Sequence, residues 1–182
     1  TPKAVRRRKR LRGLQTSGRL WKHSGLGDVD GLISLQEIAQ SFVFTLVRNP
    51  WNRVVSLYHW GQTQGFDHWV VDLAKSADFT GFVMDPRVDA MFRASPPSRY
   101  LTAMDGREYC NLFIRLEHFS QDVAPLERHL GFSLDMPHSN ASERLRDYRG
   151  YYDDATAARV AGFCGEEIDR FGYGFDDAAT NV

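Results

Sequence analysis

The stretch FVFTLVRNPWNRVVSLYHW (Phe42–Trp60) constrains the fold more than any other part of the chain. Ser41–Val47 is short, β-branched and aromatic, and it is apolar on both faces. A strand with one wet face alternates, so the absence of alternation predicts a central strand of a covered, parallel sheet. Asn49 then stands where a helix N-cap belongs. Pro50 stands at the first helical position, where its fixed φ suits the helix and its missing N–H costs nothing. Trp51, Val54, Val55 and Tyr58 recur at helical spacing and form a core face. Asn49, Asn52, Arg53 and Ser56 share the opposite face. Strand, tight turn and helix make half of a βαβ unit.

The flanking sequence adds further elements. HSGLGDVDGLISLQEIAQS begins turn-rich, with glycines at 25, 27 and 31, and continues as a short helix over 34–40, in which Ser34 and Glu37 fit a capping box. Residues 66–104 read as helical pieces, broken at MDPR and SPPS. CNLFIRLE (Cys110–Glu117) is a second strand. SQDVAPLERHLGF reads as a helix ended by Gly131. DMPHSNASERLRDYRGYY is a long polar loop, at the upper limit for a structureless connection. DDATAARVAGFCGEEIDRFGY reads as one last amphipathic helix, ended by Gly172. No linker divides the chain, which predicts one domain over 1–182 with an α/β fold.

Net charge is zero over 182 residues, but its distribution is uneven. Residues 1–22 carry nine Lys/Arg and no acid, leaving 14 basic against 23 acidic residues in the rest, a net of −9. The basic segment within 1–20 has three readings: a solvated tail or exposed helix, a surface for an anionic substrate or cofactor, and a nucleic-acid arm. No basic or aromatic binding module follows it, so no nucleic-acid partner is expected. The two cysteines, Cys110 and Cys164, form neither a disulfide framework nor a metal motif, and no metal site is expected. No run approaches the ~20 apolar residues of a membrane span. With no signal-peptide pattern and thiols suited to a reducing compartment, the expected location is cytoplasmic.

Ligands of open α/β sheets bind beyond the carboxyl ends of the strands. Arg48 stands at such an end. The helix that follows starts with free N–H groups and a partial positive charge, both of which favour an anion. Arg48 adds a planar fork of donors suited to phosphate. Arg53 and Ser56 return toward it along the polar face. The bland alternative pairs Arg48 with a carboxylate such as Glu117 and turns Ser56 onto its own i−4 carbonyl. On residue chemistry alone, the two readings are evenly matched.

FTLVRNPWNRVVSLYHW resembles the 3′-phosphate-binding segment of sulfotransferases that use 3′-phosphoadenosine 5′-phosphosulfate (PAPS): an apolar strand, R-[ND]-P, then an aromatic, a polar residue, R, two apolar residues and S. WKHSGLGDV is similar to the K-H-[AS] segment of the bacterial and carbohydrate-type branch. MPHSNASERLRDYRGYYDD is similar to that branch's H-x-N-A-S-x-R loop, and IDRFGYGF to its usual ending. The resemblance covers residues 21–175, thinly between 66 and 104. It implies a P-loop-like sulfotransferase fold, with a central parallel sheet flanked by helices. It also implies that PAPS, or its product PAP, is held at the 3′-phosphate by Arg48 and Ser56, with Arg53 nearby. Asn140, Ser142 and Arg144 would close over the adenosine and 3′-phosphate.

The family's P-K-[TS]-[GA]-[GC]-[TS] loop, which binds the 5′-phosphosulfate, has no counterpart here. The resemblance therefore implies a longer gene product, by about 40–50 residues on usual βα element lengths, and weak or absent transfer by this chain alone. Sulfuryl transfer asks for in-line placement, charge neutralisation and a base for the acceptor. His23, before the glycine-rich turn, is the candidate catalytic base, since an imidazole titrates near neutrality. The acceptor is a glycan, a lipid or a small alcohol, with residues 66–104 supplying its pocket. The alternative is a non-catalytic nucleotide- or anion-binding protein on the same fold.

Overall fold

The computed structural model describes residues 2–11, 13–135 and 147–177. The elements follow as α1 (Pro2–Leu11), a 3₁₀ turn (Leu26–Val29), α2 (Leu35–Gln40), β1 (Phe44–Val47), α3 (Pro50–Thr63), α4 (Trp69–Ser76), α5 (Phe79–Met84), α6 (Pro86–Ala94) and α7 (Ser98–Leu101). After these come β2 (Leu112–Arg115), a 3₁₀ turn (Leu116–His118), α8 (Phe119–Asp122), α9 (Ala124–Leu130), a 3₁₀ turn (Tyr148–Tyr151), α10 (Asp154–Phe163) and α11 (Gly165–Phe171). None of the described helices is long and apolar enough to cross a membrane.

The sheet consists of β1 and β2, two parallel strands flanked by helices. β1 departs from the expectation of a strand covered on both faces. Phe44 is 44% exposed and Leu46 49%, whereas Val47 is 3% exposed. The alternation is present in the fold but hidden in the letters, because the outward positions carry apolar side chains too. An apolar run cannot by itself distinguish two buried faces from one buried and one apolar wet face.

The chain divides into two compact units, and the boundary passes through both strands. The first unit holds Thr1–Thr45 and Pro97–Leu112. It closes through backbone contacts between its two segments: Gly27 N–H donates to Thr102 O at 3.0 Å and Asn111 N–H to Val43 O at 2.7 Å. Its described core is sparse, with Ile38, Leu101 and Ala103 buried and Trp21, Leu32, Ile33 and Leu35 exposed. The capping box of α2 forms as read: Glu37 N–H donates to Ser34 Oγ at 3.2 Å and Ser34 N–H to Glu37 Oε2 at 2.8 Å.

The second unit, Leu46–Pro96 with Phe113–Val182, holds the main apolar core. α3 buries Trp51, Val54, Val55 and Tyr58 as its spacing predicts, against α4, α5 and α10. Phe82, Val83, Val88 and Val160 complete the fully buried layer. Two predicted helices are each split. α8 and α9 part at Val123, before Pro125 near the start of α9, because a proline starts a helix more readily than it continues one. α10 and α11 part at Cys164, whose ψ of 16° leaves the helical range ahead of Gly165. Gly131 and Gly172 both adopt left-handed φ, 79° and 68°, and end their helices as expected.

Candidate functional site

The second unit builds its polar junction around Asn49. The Asn49 side chain caps α3 by accepting from Trp51 N–H at 3.1 Å and Asn52 N–H at 3.3 Å. Its amide Nδ2 donates to Gly174 O at 3.0 Å, and its backbone N–H donates to Glu117 Oε1 at 2.8 Å. Pro50 has no N–H, and Arg53 N–H already joins the helix by donating to Asn49 O at 2.9 Å. The free N–H groups expected for an anion at this helix start are therefore all in use. Glu117 already places a carboxylate against the positive end of the helix. Any further anion has to be held by side chains.

Those side chains lie along one stripe. Arg48 Nη2 donates to Asn52 Oδ1 at 3.0 Å. Asn52 is 5% exposed, and Ser56 lies one turn further along the same face. Arg48 precedes the helix, and its bond to Asn52 brings the guanidinium to the turn before Ser56. Ser56 is half-buried, and its hydroxyl makes no hydrogen bond among the described residues. Glu117, the alternative partner considered for Arg48, uses Oε1 on Asn49 N–H and accepts the Tyr173 hydroxyl on Oε2 at 3.3 Å. Burial, and then the Glu117 charge, push the Tyr173 hydroxyl far above the usual phenol range, so it stays protonated and donates.

Arg53 departs from its expected role at the phosphate. Its Nη1 donates to Glu167 Oε2 at 2.7 Å, and its guanidinium carbon lies 4.6 Å from the Phe92 ring centroid. This is a tie between α3 and α11, with an aromatic face closing one side of the charge. Most of the aromatic and basic residues of 66–104 are engaged within the fold. Phe79, Phe82 and Phe92 are buried in the core. Trp69 lies beneath Arg87, 5.2 Å from its guanidinium carbon, and Arg93 donates to Gly162 O at 2.9 Å.

Tyr148 and Tyr152, in the last part of the expected polar loop, are structural. The Tyr148 hydroxyl donates to Phe175 O at 2.7 Å and the Tyr152 hydroxyl to Trp51 O at 2.8 Å. Asn140, Ser142 and Arg144 lie outside the described residues.

His23 belongs to the first unit. It is exposed and meets Trp21 edge-on, with ring centroids 4.7 Å apart. Partial burial of the ring, and then the Lys22 charge, lower its pKa below the usual histidine value, leaving the imidazole neutral at pH 7. The same unit has an open cleft of about 240 Å³ lined by Gly18, Gly25, Gly27, Asp28, Arg99 and Thr102, among others. Gly18 is required there, because an added Cβ would come within 2.7 Å of the Asp28 Cα. Arg99, Thr102 and Met104 of the expected acceptor stretch line this cleft.

Helical phase already placed Asn52 and Ser56 on one face, but Asn52 was not singled out as the partner of Arg48. Tyr173 and Gly174 gave no local signal, because their partners are 56 and 125 residues away. Compared with known proteins, the chain matches no family model, no curated protein and no solved structure.

Proposed function

We propose that the chain is a PAPS-dependent sulfotransferase of the P-loop-like fold, transferring a sulfuryl group to a hydroxyl or amine acceptor. The observation that carries this reading is the Arg48–Asn52–Ser56 stripe at the strand-to-helix junction. A guanidinium fork, oriented by an amide and set one turn from a hydroxyl, fits the donor set a terminal phosphate needs. Arg48 and Ser56 would donate to the nucleotide 3′-phosphate, and Asn52 would fix the plane of the guanidinium. Arg53 is outside this set. Asn140, Ser142 and Arg144 are assigned to the nucleotide on the resemblance alone. PAPS, when bound, supplies the sulfuryl group. His23, neutral at pH 7, is suited to take the acceptor proton on a ring nitrogen.

A second reading is a non-catalytic nucleotide- or anion-binding protein on the same fold, for which the stripe alone is sufficient.

The decisive experiment is calorimetric titration with PAP (3′,5′-ADP), beside 5′-AMP. Arg48→Ala is expected to lose about 1.5–3 kcal/mol of binding, the range for a hydrogen bond to a charged group. Ser56→Ala is expected to lose about 0.5–1.5 kcal/mol. Full affinity in Arg48→Ala, or 5′-AMP binding as tightly as PAP, overturns the site. A sulfate-transfer assay then separates enzyme from binder.

A further inference from the structure

The bonds around Asn49 assign a second layer to this site. Asn49 is 1% exposed, and every polar group of its side chain and its backbone N–H is engaged. Two of the partners come from distant parts of the chain. Glu117 arrives from the turn after β2, and Gly174 from the turn after α11. The Tyr173 hydroxyl donates to the free oxygen of Glu117, and Gly174 N–H donates to Asp177 Oδ2 at 2.6 Å. The result is a closed set: Glu117 grips Asn49 from one side, the 173–177 turn grips it from the other, and Tyr173 joins the two grips.

This set acts where β1 hands the chain to α3. Arg48 is the residue before Asn49, so the direction of its side chain depends on the backbone that Glu117 holds. Glu117 also occupies the N–H that a bound anion would otherwise take, which directs an incoming anion to the side-chain stripe. A carboxylate at a helix start is favourable in itself, but its usual place is a capping position on the same helix, not one 68 residues away.

We propose that Glu117, together with Tyr173, is a positioning residue for the anion site. Through the Asn49 backbone N–H it sets the aim of Arg48, without touching the ligand. The statement deepens the 3′-phosphate reading and rests on it for the identity of the anion.

The two ideas can be separated in one set of experiments on the full chain. PAP affinity is measured by calorimetry well below the melting temperature for wild type, Arg48→Ala, Glu117→Ala, Glu117→Gln and Tyr173→Phe. Amide hydrogen exchange at Asn49 is followed in parallel. Glu117→Gln keeps an oxygen for Asn49 N–H and is expected to bind PAP within about threefold of wild type. Glu117→Ala is expected to bind about tenfold more weakly, the effect of losing one charge-assisted hydrogen bond, and to lose protection at the Asn49 amide. Tyr173→Phe is expected to fall between them. A folded Glu117→Ala that binds PAP like wild type overturns the proposal, as does a Glu117→Gln as weak as Glu117→Ala. If Glu117→Ala does not fold, wild-type affinity in Tyr173→Phe overturns it. If wild type does not bind PAP at all, the nucleotide reading falls. The positioning role is then decided by the Asn49 amide, which must be protected in wild type and Glu117→Gln; rapid exchange in either ends it.

Discussion

Replacing Arg53 with methionine tests whether its role is structural. The substitution keeps an apolar stem over Phe92 and deletes the charge facing Glu167. In the wild type the pair is 2.7 Å apart, with the Glu167 side chain 7% exposed and that of Arg53 27% exposed. Burial raises the Glu167 carboxyl above its ordinary pKa, and the Arg53 charge and hydrogen bond oppose that rise. Removing one member of a buried pair typically costs about 3–5 kcal/mol, because the other charge is left uncompensated. Arg53 retains some exposure, and methionine keeps part of the contact with Phe92, so the expected loss at pH 7 is at the lower end, about 3 kcal/mol.

The loss should depend on pH in one direction. A carboxyl whose folded pKa lies above its unfolded value binds a proton on folding. Stability then rises as pH falls through the folded pKa and levels off below the unfolded one. Without Arg53, the Glu167 pKa rises further, so the deficit of Arg53→Met should shrink between pH 7 and 5, by at most about 1.4 kcal/mol per pH unit. Urea titrations at the two pH values measure this. Arg53→Met/Glu167→Leu should return to within about 1 kcal/mol of wild type, since an apolar pair replaces a buried ion pair at little cost. A single-variant loss below about 1 kcal/mol, or one that does not change with pH, refutes the buried-charge account. A tenfold loss of PAP affinity in the folded variant would restore Arg53 to the ligand site.

Two further outcomes follow from burial. Asn49→Ala removes an N-cap and leaves Gly174 O without its donor, so an unfolding loss of about 2–3 kcal/mol is expected by urea titration; a loss under about 0.5 kcal/mol would show that Asn49 does not carry the junction. The Cys164 thiol, which burial pushes up to about 12, should resist iodoacetamide at pH 8 while the half-buried Cys110 is alkylated, as read by intact mass. Equal labelling of both cysteines in the native protein would contradict that burial.

Local chemistry was legible in the sequence, and long-range pairing was not. The α3 cap, its proline, its core face and the Ser34–Glu37 box each involve residues within one or two helical turns, and each formed as read. Arg53 misled because helical phase gives a face, and only the fold reveals that Glu167 waits there, 114 residues on. The exposed side of β1 misled for a related reason: Phe44 and Leu46 carry the same letters whether or not another layer covers them. The breaks at Val123 and Cys164 were marked by Pro125 and Gly165, but the apolar stripe continues across both and hides them from a pattern reading.

The division of the chain also sets an order of events during synthesis. The first unit closes only when Gly27 meets Thr102 and Val43 meets Asn111, and the whole of Leu46–Pro96 is made between these partners. At ordinary elongation rates of about 5–20 residues per second, the amino-terminal segment waits on the order of seconds for its second half. Residues 97–112 are therefore a late latch: a ribosome-bound chain truncated before Pro97 should present its first 45 residues to proteases and chaperones, and one extended well past Leu112 should not.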